Sequence, residues 1–126
     1  VTVIDVMALY YRLRMDAVKN LNPTFFSDLH KYHRILDYLM QLHAQRSVQM
    51  KDFFDAGVKQ GYFCADANIM LMCDIEQVVM RYVMEAKLYQ KYGVRHVFHN
   101  VLLLFIRSIC TEKGIALLET KINFFK

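Results

Sequence analysis

Apolar residues recur at steps of three and four along almost the whole of this 126-residue chain, and a single proline, Pro23, interrupts the pattern. That spacing is the mark of helices with an apolar face. A turn-rich β-sandwich or barrel needs more breakers than one Pro and four Gly. The chain is therefore expected to be all-α. Ile4, Met7, Ala8, Tyr11, Met15 and Val18 place a first helix over 2–20, with Val6, Tyr10, Leu13, Ala17 and Leu21 as a second stripe. Two stripes predict an element more enclosed than an ordinary surface helix.

Asn22-Pro23 is a helix start, because Pro at the first helical position loses only an N–H that has no partner there. It opens a short helix over 23–32 that turns Phe25, Phe26 and Leu29 inward. A long helix over 35–60 follows, with Leu36, Leu39, Met40, His43, Ser47, Met50, Phe54 and Gly57 on one face. Asp66 is placed to cap a helix over 67–91. Ile69, Met72, Cys73, Val79, Met80 and Val83 line one side of it, and Leu71, Ile75, Val78, Tyr82 and Tyr89 the next. Val97, Phe98, Val101, Leu102, Leu104, Phe105 and Ile109 mark a helix over 95–113, and a last short one covers 115–122. The expected architecture is five main helices plus a short C-terminal helix in a single domain, 1–126.

Gly61-Tyr62, Gly93-Val94 and Gly114-Ile115 each set Gly and then an apolar residue at the end of a helical run, as a left-handed C-terminal cap requires. Gly57 falls inside a helix, where Gly costs about 1 kcal/mol relative to Ala, so it predicts close packing or a bend.

A 15.0-kDa chain folds with a surface of roughly 7,000 Å² against roughly 22,000 Å² extended, enough burial for a core without disulfides. With 56% apolar and 22% charged residues the chain is not a disordered tail. The formal net charge is +4, and its cations are scattered; Arg12 and Arg14 are the tightest group. No basic stripe forms, so this segment offers no nucleic-acid surface. Cys64, Cys73 and Cys110 are an odd count without Cys-x-x-Cys, which predicts reduced thiols and a cytoplasmic setting. The longest apolar run, Val101 to Ile106, is too short to span a bilayer, and Asp5 and Arg12 break any signal peptide. No membrane partner is expected. The chain begins with Val1, so it is expected to be a fragment of a longer protein.

The chemistry-bearing residues argue against an enzyme. His30-x-x-His33 and His96-x-x-His99 pair imidazoles on helix faces, but no His-Glu-x-x-His or Glu-x-x-His completes a ligand set. No metal and no cofactor are expected. Ser27, Ser47 and Ser108 lie in helical runs, not on a strained Gly-x-Ser-x-Gly elbow. Polar residues set into apolar stripes remain. His43 and Glu76 are candidate polar orienters of a small apolar ligand, with Tyr11, Met15, Phe26, Met50 and Cys73 as walls. Soft Met and aromatic walls with a few polar groups suit such a pocket. The same residues also suit a filled core, with His43 and Glu76 paired internally or at a subunit seam. The runs 67–91 and 95–113 are apolar over more than one face. That excess predicts a homodimer built as a four-helix bundle, with Tyr82, Phe98, Val101, Leu102 and Phe105 at the seam or just beneath it.

Three stretches carry a resemblance: Asn22-Pro23-Thr24-Phe25-Phe26-Ser27-Asp28-Leu29 with Lys31-Tyr32-His33; Gly57-x-x-x-Gly61-Tyr62-Phe63-x-x-Asp66-x-Asn68; and Arg107-Ser108-Ile109-Cys110-Thr111-Glu112-Lys113-Gly114-Ile115. In this order they resemble the C-terminal regulatory domain of TetR/AcrR-type transcriptional regulators, over essentially the whole chain. The resemblance implies a homodimeric one-component repressor with a TetR-like regulatory fold. It implies an N-terminal helix-turn-helix domain, absent from these residues, that binds operator DNA. The two long late helices would be the dimerisation helices, and a small, mostly apolar effector would enter between the earlier ones. The rival reading is a helical dimerisation module with a solid core and no ligand.

Overall fold

The computed structural model describes residues 1–19 and 47–122. Six helices order these residues: α1 (Val3–Lys19), α2 (Ser47–Lys59), α3 (Ile69–Glu85), α4 (Leu88–Tyr92), α5 (Val94–Ile109) and α6 (Glu112–Ile122). Among the described residues there is no strand, and no helix is long and apolar enough to cross a membrane. The all-α expectation holds for them. The expected helix over 23–32, with Phe25, Phe26 and Leu29, and the 35–46 part of the next lie outside the described residues.

Local chemistry starts α1 where it begins. Thr2 and Asp5 form a reciprocal cap: the Asp5 N–H donates to Thr2 Oγ1 at 3.2 Å, and the Thr2 N–H donates to Asp5 Oδ2 at 2.9 Å. The Val3 N–H donates to Gln60 Oε1 at 2.9 Å, which ties this end to the end of α2. Asp5 also pairs with Lys121 of α6 at 2.8 Å. From there Val3, Ile4, Ala8, Tyr11, Met15 and Val18 are buried. α1 lies against α5 and α6 and touches α2. The second stripe does not behave as expected, since Val6, Tyr10 and Leu13 are exposed. Among the described residues the buried ones of α1 follow the first stripe alone.

The end of α2 is built by Gly61, which adopts φ 81°. The Gly61 N–H donates to the Val58 carbonyl and the Tyr62 N–H to the Gly57 carbonyl, both at 3.0 Å, the paired bonds of a left-handed cap. The cap throws Phe63 back onto its own helix. The Phe63 ring stacks on Phe54 at 5.8 Å and meets Phe53 edge-on at 5.5 Å. Gly57 makes this possible: a Cβ there would stand 2.1 Å from the Phe63 ring. The close packing predicted for Gly57 is what the chain uses.

Residues 62–64 then dock on residues 109–111. Phe63 and Cys110 face each other as an isolated antiparallel bridge. The Cys64 N–H donates to the Ile109 carbonyl at 2.8 Å, and the Thr111 N–H to the Tyr62 carbonyl at 2.9 Å. Thr111 Oγ1 donates to the Gly61 carbonyl at 2.7 Å. Lys113 Nζ lies 5.1 Å from the centre of the Tyr62 ring. This docking corrects two expectations. The helix expected over 95–113 stops at Ile109, because Cys110 is extended at φ −89° and ψ 145° to make the bridge. The last helix starts at Glu112, not at 115, with Thr111 Oγ1 accepting from the Gly114 N–H at 3.1 Å. Gly114 is thus an interior residue of α6 and not a C-terminal cap. Its lack of a side chain serves contact, since a Cβ would stand 2.3 Å from the Tyr62 carbonyl oxygen.

The expected helix over 67–91 also divides. Its cap is Asn68, whose Oδ1 accepts from the Leu71 N–H at 3.0 Å, and not Asp66. α3 ends at Glu85, and Lys87 takes a left-handed φ of 54° before α4. The break turns Tyr89 into the core, where it is buried. Gly93 ends α4 where the sequence predicts, at a positive φ of 91°, but its ψ of 140° lies outside the left-handed cap expected there.

Two outcomes test these contacts. In an open helix Gly→Ala gains about 1 kcal/mol. Gly114→Ala is expected to lose about 2–3 kcal/mol in urea denaturation, because the added methyl must displace backbone; a gain would show the contact is not made. The second outcome concerns pH. The Lys121 ammonium, then the Thr2 N–H, hold the Asp5 carboxyl at about 2, below its ordinary 3.8. A depressed carboxylate stabilises the fold above its ordinary value and loses that effect as pH falls through its folded value. Asp5→Asn is expected to be less stable than the parent at pH 7, with the gap closing between about pH 4 and about pH 2. A gap unchanged at pH 2 would contradict the assignment.

Candidate functional site

The ligand candidates divide into those the structure gathers and those it does not describe. Tyr11 and Met15 sit on the buried face of α1, and Cys73 on the buried face of α3. All three belong to one core cluster, and Met50, half-buried on α2, packs against it. Glu76 is half-buried one turn beyond Cys73. Burial pushes the Cys73 thiol up, and the Glu76 and Asp74 carboxylates push it further, which places Glu76 within electrostatic reach of the sulfur. A raised thiol stays protonated at neutral pH, and Cys73 packs in the core as a small apolar side chain. His43 and Phe26 lie outside the described residues. The pairing of His43 with Glu76 across one cavity therefore has no described geometry.

Sequence reasoning passed over one polar contact in this core. The Tyr11 hydroxyl and His99 Nδ1 are hydrogen-bonded at 2.5 Å, joining α1 to α5. The rings meet edge-on, 5.7 Å apart at 71°. Burial pushes the Tyr11 hydroxyl up, with a smaller opposing pull from the Arg95 charge, so it stays protonated at neutral pH. The sequence shows His99 only as one of a pair of imidazoles, with His96, on a helix face. Its position three residues before Leu102 and seven before Ile106, both buried, was the available signal that it faces inward. His96 does remain exposed, and its carbonyl accepts from Asn100 Nδ2 at 2.8 Å.

An open concavity of about 630 Å³ runs from His99 along α5, lined by Asn100, Leu103, Leu104, Arg107 and Ser108. It lies on α5 and not between α1, α2 and α3, where the ligand walls were sought. Its charged member, Arg107, faces Glu119 of α6 at 3.8 Å, and both side chains are solvent-exposed. Among the described residues no three of His, Cys, Asp and Glu come together as a metal site. The Tyr11–His99 pair ties α1 to α5 through a hydrogen bond.

The seam candidates fall into two environments. Tyr82 is 60% exposed, at the end of a stripe with Leu71, Ile75 and Val78 that runs along α3. Eleven residues of helix make this stripe about 16 Å long. Phe98 and Leu102, in contrast, are 4% and 3% exposed and pack within the single chain. Val101 and Phe105 are half-buried, and Leu104 beside them is exposed. The stripe on α3 was visible in the sequence as an apolar line. Its facing outward was not, because periodicity does not distinguish a core face from a partner face.

Tyr11→Phe keeps the packing and removes the hydroxyl. It is expected to cost about 1 kcal/mol in chemical denaturation, and a cycle with His99→Ala is expected to show coupling of similar size. Additive effects of the two changes would mean the bond contributes nothing.

Set against family models, curated proteins and solved structures, the chain matches none.

Proposed function

We propose that this chain is the regulatory domain of a one-component transcriptional repressor of the TetR/AcrR type, which dimerises through α3 and α5 and senses a small, mostly apolar molecule. The observation that carries the reading is the line Leu71, Ile75, Val78 and Tyr82 on α3, apolar and open to water in the single chain. An exposed apolar face of this length marks an interaction surface. On α5 Leu104 is exposed and Val101 and Phe105 are half-buried, while Phe98 and Leu102 are buried. Two of the three stretches that carry the resemblance, 57–68 and 107–115, dock on each other through the Phe63–Cys110 bridge.

In this reading the dimer holds two helix-turn-helix heads at a spacing set by operator half-sites about one helical turn apart. An effector acts only through its different affinities for the two head spacings. Tyr11, Met15, Met50 and Cys73 form part of the effector's surroundings, with Glu76 and His43 orienting it, in a cytoplasmic protein with no catalytic role. A dimerisation module with a solid core is favoured by one observation, that the concavity on α5 is open and none of those walls lines it.

Sedimentation of the parent and of Val78→Glu with Tyr82→Glu tests the dimer. Both positions are exposed in the single chain, so the fold is expected to survive while association weakens at least tenfold. Leu102→Glu is expected to unfold the chain instead, because it places an unpaired charge in the core. A parent that stays monomeric at micromolar concentration would overturn the reading. Thermal shift against apolar ligands then separates sensor from solid module. A ligand raises the parent's melting temperature by mass action, and His43→Phe and Glu76→Gln each remove most of that rise; a rise that both variants keep in full would discard the site.

A further inference from the structure

We draw no further inference here: the strongest candidate, the exposed apolar stripe of Val6, Leu9, Tyr10 and Leu13 on the outer face of α1, has nothing in the structure that shows what covers it.

Discussion

The contact between residues 62–64 and 109–111 fixes more of this fold than any single helix does. Its two backbone hydrogen bonds and the Thr111 hydroxyl bond join segments 45 to 50 residues apart. Each is worth only about 1 kcal/mol net, so energy alone does not explain its reach. Its importance is geometric. It requires an extended Cys110, and an extended residue ends α5 and frees Thr111 to cap α6. It also holds Phe63 over Phe54, which is possible only because Gly57 has no side chain. Gly114 closes the other side by letting α6 approach the Tyr62 carbonyl.

Because α5 and α6 meet at this corner, α1 can lie across both. It is then held at two points by different chemistry. Asp5 meets Lys121 near the start, in water, where the pair is pH-sensitive. Tyr11 meets His99 in the middle, where burial keeps the hydroxyl protonated. The α3 stripe stands apart from these contacts. Its helix is broken from α4 at Lys87, and that break lets Tyr89 enter the core while Tyr82, one element earlier, stays outside.

Helical periodicity made the elements legible because each helix has one face that must leave water. Their ends were legible only where glycine supplies a backbone no other residue adopts easily, as at Gly61 and Gly93. The breaks at Lys87 and Cys110 carry no such residue, since tertiary contacts impose them, and a continuous pattern ran through both. Gly114 shows the limit most clearly. Gly followed by Ile after a helical run reads as a cap, yet the space it leaves is filled by a carbonyl 52 residues earlier in the chain. In the candidate site, Tyr11, Met15 and Cys73 were recoverable as core, and His99 was recoverable from its spacing. What separates an exposed apolar face from a core face was not, because Leu71, Val78 and Tyr82 obey the same spacing as the buried residues beside them.

Native-state hydrogen exchange at the Cys64 and Thr111 amides tests the central claim most directly. If the bridge organises the α5–α6 corner, both amides exchange only through global unfolding, as slowly as those of Leu102 and Ile106 in the core. If they exchange at the rate of open loop amides while Leu102 and Ile106 stay protected, the corner forms without the bridge and the account fails.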